Sequence, residues 1–118
     1  MQLTLLPPEH DVLRVLCEGD ISQRDINPDK DPLETLVGPD VFTRKILLNL
    51  ERTHYVDSSG ISWLMGRHKQ FKQRGGALVL YAIPPMVKQV LQLLRMSLVL
   101  NLADDESAAL ALVQGVKS

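Results

Sequence analysis

Cysteine is almost missing from this 118-residue chain: Cys17 stands alone, so no internal disulfide framework exists. It falls in the apolar run Val12-Leu13-Arg14-Val15-Leu16-Cys17, the setting of a buried, inert thiol. An excess of either charge is missing too. A net charge of −1 lacks the basic surplus that sequence-independent nucleic-acid binding needs. Arg67, Lys69, Lys72 and Arg74 do cluster, but at the end of an expected helix, where cations complement the macrodipole. No apolar run reaches the roughly 18 residues needed to cross a bilayer, and no charged-apolar-small leader opens the chain. The expectation is a cytoplasmic protein without direct membrane insertion.

What is present is a globular composition, 45% hydrophobic and 23% charged, over a length that suits one domain covering residues 1–118. Two β-like runs, Gln2 to Leu6 and Val12 to Cys17, flank Pro7-Pro8-Glu9-His10-Asp11 and predict a hairpin with its turn in that segment. From Asp20 to Phe42 the pattern is irregular. Asn27-Pro28 and Asp31-Pro32 interrupt it, and only Pro32 to Val37 reads as a short helix, with Asp31 as N-cap.

Lys45-Ile46-Leu47-Leu48-Asn49-Leu50 is a compact apolar run of the kind covered on both faces, hence a central strand. The period then changes. Ile61, Leu64, Met65, His68 and Phe71 follow helical spacing up to Gly75-Gly76. Ala77 to Ile83 is a second buried-strand run, and Pro84-Pro85 opens a helix with Val87, Val90, Leu91 and Leu94 on one side. Ser97 to Leu100 reads as a further short strand. Asp104-Asp105-Glu106 supplies the cap and acidic first turn of a last helix through Val113, with Gly115 just beyond. Strand-helix alternation predicts an α/β domain: a mixed, mostly parallel sheet with an N-terminal hairpin and about four helices.

Between the central strand and the best-defined helix lies Asp57-Ser58-Ser59-Gly60. Three side chains able to cap stand there beside backbone N–H groups without helical partners. Such a corner is an anion site at the end of a strand, where open α/β sheets bind ligands, or an ordinary N-cap. Spacing does not choose between Ser58 and Ser59.

Together, Ile46-Leu47-Leu48-Asn49-Leu50, Val56-Asp57-Ser58-Ser59-Gly60-Ile61, Leu64-Met65-Gly66-Arg67, Gly75-Gly76-Ala77-Leu78-Val79-Leu80 and Ala82-Ile83-Pro84-Pro85-Met86-Val87 resemble the STAS domain, and bacterial anti-sigma factor antagonists within it. The resemblance implies a protein that binds a serine-kinase anti-sigma factor when unphosphorylated, is switched off by phosphate on Ser58, and is reset by a serine phosphatase. ATP would belong to the partner, and no cofactor or metal is implied. The free protein would be a monomer or weak dimer. A second implied reading is a scaffold subunit of a stressosome-like assembly or of a transporter complex, in which phosphorylation is secondary.

The contact surface implied is Asp57, Ser58, Ser59, Gly60 and Trp63, with Asp20 and Ser22 beside it. Antagonists carry an aspartate a few residues after the glycine of the second strand; Gly19-Asp20-Ile21-Ser22 puts Ser22 there, or lets Asp20 substitute. The Asn27-to-Pro32 interruption replaces a longer first helix, expected to lie away from much of the corner. Trp63 falls roughly 200° around its helix from Ile61, so it is expected to be partly exposed, either folded onto neighbouring loops or anchoring an interface.

Catalysis is not expected. His68 falls on the core-facing stripe, and adjacent Asp57-Ser58 cannot place the acid behind a histidine. His10, His54 and Cys17 are too scattered for a metal, and Gly75-Gly76 ends a helix where a phosphate loop would begin one.

Overall fold

A computed structural model describes residues 1–26 and 29–115. Its five strands, β1 (Gln2–Glu9), β2 (Val12–Glu18), β3 (Lys45–Arg52), β4 (Ala77–Tyr81) and β5 (Asn101–Ala103), lie side by side in chain order. β1 and β2 are antiparallel, and β2 through β5 are parallel. The four helices among the described residues are α1 (Pro32–Val37), α2 (Ser58–Arg74), α3 (Pro85–Leu93) and α4 (Glu106–Gly115).

Strand order fixes the layers. When consecutive parallel strands step in one direction with crossovers of one hand, the crossover helices fall on one face. Leu33 of α1, Ile61, Leu64 and Phe71 of α2, and Val87 and Leu91 of α3 accordingly share one core with Val15, Ile46, Leu48 and Leu80. Among the described residues, the opposite face of the sheet is covered by α4 alone, through Ala109 and Val113 against Val12, Leu47, Val79 and Tyr81. Leu47 and Leu48 thus point to opposite cores, which is why β3 reads as an unbroken apolar run.

One connection is tighter than the sequence expectation and another departs from it. The hairpin turn is only His10-Asp11, both at positive φ (51° and 64°), the signature of a two-residue turn matched to strand twist. Pro7 and Pro8 belong to β1, an edge strand whose outer side requires no N–H donors, and the register slips between Leu6 and Glu9. Ser97 to Leu100 is not a strand. α3 ends at Leu93, Arg95 follows in the left-handed conformation, Met96–Leu98 make a turn of 3-10 helix, and β5 begins at Asn101, which pairs with Val79. α4 runs two residues past Val113, to Gly115.

Gly76 lets the start of β4 lie close beneath the loop before β3: a Cβ there would stand 2.4 Å from the Arg44 carbonyl oxygen. Gly75 ends α2 in the left-handed conformation, at φ 86°. With α2 so bounded, its N-terminus is set at the carboxyl end of β3.

Candidate functional site

The chain segments leaving β2 and β3 run together toward this end of the sheet. Ile21 pairs with Val56 in a parallel bridge, with Ile21 N–H donating to Tyr55 O and Asp57 N–H donating to Ile21 O at 3.0 and 3.2 Å. α2 can start only because residue 60 is glycine. A Cβ on Gly60 would stand 2.2 Å from the Ile21 carbonyl oxygen. Gly60 is buried, so it sets the approach of helix and bridge and does not face outward.

Asp57 is the N-cap of α2. Its Oδ1 accepts from Gly60 N–H at 2.8 Å, and its Oδ2 accepts from Gln23 N–H at 3.1 Å. One carboxylate therefore caps the helix and staples the segment after β2 to it. Ser58 follows as the first residue of α2 and is exposed, while Ser59 is half-buried. The amides of Ser58 and Ser59 precede the first helical hydrogen bond, donated by Ile61 to Asp57 O at 2.9 Å. Asp20 is exposed and Ser22 half-buried on the strip beside the corner, on either side of the Ile21 bridge.

A second aspartate repeats the pattern. Asp31 Oδ2 accepts from Glu34 N–H at 3.0 Å, capping α1 as its sequence position predicts. Its Oδ1 accepts from Trp63 Nε1–H at 2.9 Å and from an Arg67 Nη1 at 2.5 Å. The Asp31 side chain is 9% exposed. Trp63 itself is only 6% exposed, which corrects the expectation of a partly exposed ring. Helical geometry places Trp63 off the apolar stripe of α2, but Asp31 brings the start of α1 over that side and covers it. The start of the first helix therefore adjoins the corner, where the family comparison placed it away. Asn27-Pro28, part of the interruption, lies outside the described residues.

Between these elements is a pocket of about 490 Å³, lined by Gln23, Ile26, Asp31, Ser58, Ser59, Ser62, Trp63 and Arg67. Sequence reading singled out Ser58, Ser59, Asp57 and Trp63 but not Gln23, Ile26, Ser62, Arg67 or the second role of Asp31. The one available signal was the Asp31-Pro32 cap, whose carboxylate has a second oxygen to satisfy. Among the described residues no group of three or more His, Cys, Asp or Glu could hold a metal. His68 is half-buried on α2, with its pKa lowered by burial and by Lys72.

Comparison with known proteins bears on this geometry. The family model of the STAS domain matches residues 10–109. The chain belongs to the STAS family. The anti-sigma F factor antagonist of Paenibacillus polymyxa is 31% identical over 65 residues, which span 55% of this chain and 56% of that relative's length. The anti-sigma factor antagonist SpoIIAA in its unphosphorylated form superposes with a TM-score of 0.61 at 20% identity, over 98% of this chain and all of the other. SpoIIAA from Bacillus in its phosphorylated form gives 0.59 at 19% identity, over 94% and 99%. A sulfate transporter family protein from Wolinella succinogenes gives 0.69 at 18% identity, over 90% and 87%. At these identities the structures share the STAS fold. Within it, the Asp57-to-Gly60 corner is the strand-to-helix junction described above, and no helix of the described residues is long and apolar enough to cross a membrane.

Proposed function

We propose that this STAS domain is an anti-sigma factor antagonist: unphosphorylated, it binds a serine-kinase anti-sigma factor through the Ser58 corner, and phosphate on Ser58 ends binding. The observation that carries the reading is the division of labour at the corner. Asp57 turns both carboxylate oxygens inward, to Gly60 and Gln23, and leaves Ser58 as the exposed hydroxyl at the head of α2. The Paenibacillus relative and the existence of a phosphorylated antagonist of the same fold support it.

In this reading the chain is a substrate and a ligand, not an enzyme; ATP is bound by the kinase, and a serine phosphatase restores the hydroxyl. The setting is the cytoplasm, where kinase and ATP are found. A phosphate adds about −1.5 to −2 charge and three acceptor oxygens, which the unpartnered amides of the first turn accommodate, so the fold persists. The penalty falls on the complex, where a charge buried against a surface shaped for a hydroxyl is unpaired. Asp57, Ser58 and Ser59 form the contact, Asp20 and Ser22 flank it, and Gly60 and Trp63 act beneath the surface, Gly60 by setting the start of α2 and Trp63 by holding Asp31.

Incubation with serine-kinase anti-sigma factors of the source genome and ATP, with mapping of the modified residue, tests the reading. Phosphate on Ser58 is expected. Phosphate on neither Ser58 nor Ser59 with any kinase would favour a scaffold subunit, the use suggested by the likeness to a sulfate transporter family protein.

A further inference from the structure

Helix α3 carries more apolar surface than the sheet covers. Val87 and Leu91 are buried in the core, but Met86, Val90 and Leu93 fall within about 60° of one another on a neighbouring face of the same helix. Met86 and Leu93 are 74% and 75% exposed there. Leu94, Leu98 and Val99 carry the surface past the helix end, where Leu98 N–H donates to Arg95 O at 3.1 Å and Val99 N–H to Met96 O at 3.0 Å. Leu98 is 81% exposed. Monomers rarely leave so many large apolar side chains together, and six of them supply most of the apolar centre of a standard interface, roughly 800 Å² per partner. From Ala77 to Ala103 no acidic residue occurs, and the only charged ones are Lys88 and Arg95. An interface centre is depleted of charge in the same way.

The charges at the margin indicate what covers this face. α3 runs from the carboxyl end of β4 back to the start of β5, so its two ends lie at opposite ends of the sheet. Arg95 stands exposed at the far end, in a left-handed conformation (φ 58°) that glycine would adopt without strain. Asp104, where the chain leaves β5, stands exposed at the near end, 3.4 Å from Lys88. A twofold axis near Val90 would lay two copies of α3 antiparallel, with Met86 of each against Leu93 and Leu94 of the other. The same axis carries Arg95 of each copy to the end where the other presents Asp104. The patch is therefore complementary to itself in shape of charge as well as in its apolar centre.

We infer that this chain forms a twofold dimer with a second copy of itself, through the exposed face of α3 and the Met96–Leu98 turn, with Arg95 and Asp104 paired between copies. A lipid surface fits this face less well, because helices that lie on membranes carry a polar face rich in Lys and Arg, whereas the single cation of α3, Lys88, already faces Asp104. No residue of the patch lines the pocket at Ser58, so the dimer is independent of the reading given above.

Sedimentation equilibrium of the full chain from about 1 µM to about 1 mM, which spans moderate to weak association, tests the inference. The wild type is expected to pass from one chain mass to two as concentration rises. Leu98→Glu and Arg95→Glu should each weaken the dimer at least tenfold; both side chains are exposed, so the far-UV circular dichroism should not change. Arg95→Glu combined with Asp104→Arg should recover most of the loss. A wild type of one chain mass throughout would overturn the dimer, and flotation of that monomer with phosphatidylserine vesicles, abolished in Leu98→Glu, would assign the patch to a lipid surface instead. A dimer that survives Leu98→Glu would overturn the choice of face. A Leu98→Glu loss with Arg95→Glu associating as wild type, or with no recovery in the double variant, would overturn the antiparallel pairing.

Discussion

Asp31 and Trp63, 32 positions apart in sequence, meet in a 2.9 Å hydrogen bond that turns an N-cap into a bolt between two helices. The same carboxylate holds α1 at its first turn and α2 at its second and third. The short first helix is thereby fixed to the element that carries Ser58.

Asp31→Ala removes the cap and leaves the buried indole N–H and Arg67 without their acceptor. Loss of a cap costs about 1 kcal/mol and an orphaned buried donor about 1–3 kcal/mol, so a total near 2–4 kcal/mol is expected. Urea denaturation followed by Trp63 emission measures it, and the emission of the folded variant should shift to the red.

Gly60→Ala places a methyl 2.2 Å from the Ile21 carbonyl oxygen, a backbone atom that cannot swing aside. The helix start and the Ile21–Val56 bridge must separate, with a loss of stability of about 1–3 kcal/mol or more, as for overpacking. Faster amide exchange at Asp57 and Ile21, whose N–H groups form the bridge, locates the damage.

His68 links stability to pH. Its folded pKa lies below 6.5, because burial and the Lys72 charge disfavour the imidazolium. The unfolded chain therefore binds the proton more readily than the folded one. Its contribution is complete above pH 6.5 and is lost as pH falls from there through the folded pKa. His68→Gln should flatten the stability profile below pH 6.5, as read from urea midpoints across the range.

Much of this was legible in the sequence, because local rules and the fold agree at those places. The apolar runs of β3 and β4, the stripe of α2, the Asp31 and Asp57 caps and the Gly75 stop each depend on neighbours a few residues away. What was hidden depends on distant ones. Helical geometry orients Trp63 relative to α2 alone and carries no information on the segment that Asp31 lays over it. Ser97 to Leu100 has strand composition, but Leu98 is 81% exposed, and the ladder to β4 starts only at Asn101. Short apolar runs do not separate a strand from a helical turn. The hairpin turn narrowed to His10-Asp11, inside the expected Pro7-to-Asp11 segment, because an edge strand tolerates the prolines that normally end one.

The central claim is that charge at Ser58 controls partner binding without altering the fold. Calorimetry at matched salt, comparing wild type with Ser58→Asp against the kinase that phosphorylates it, tests this most directly. A loss of at least tenfold, about 1.4 kcal/mol, with an unchanged melting midpoint is predicted. Equal affinity of the two proteins for that kinase would contradict it.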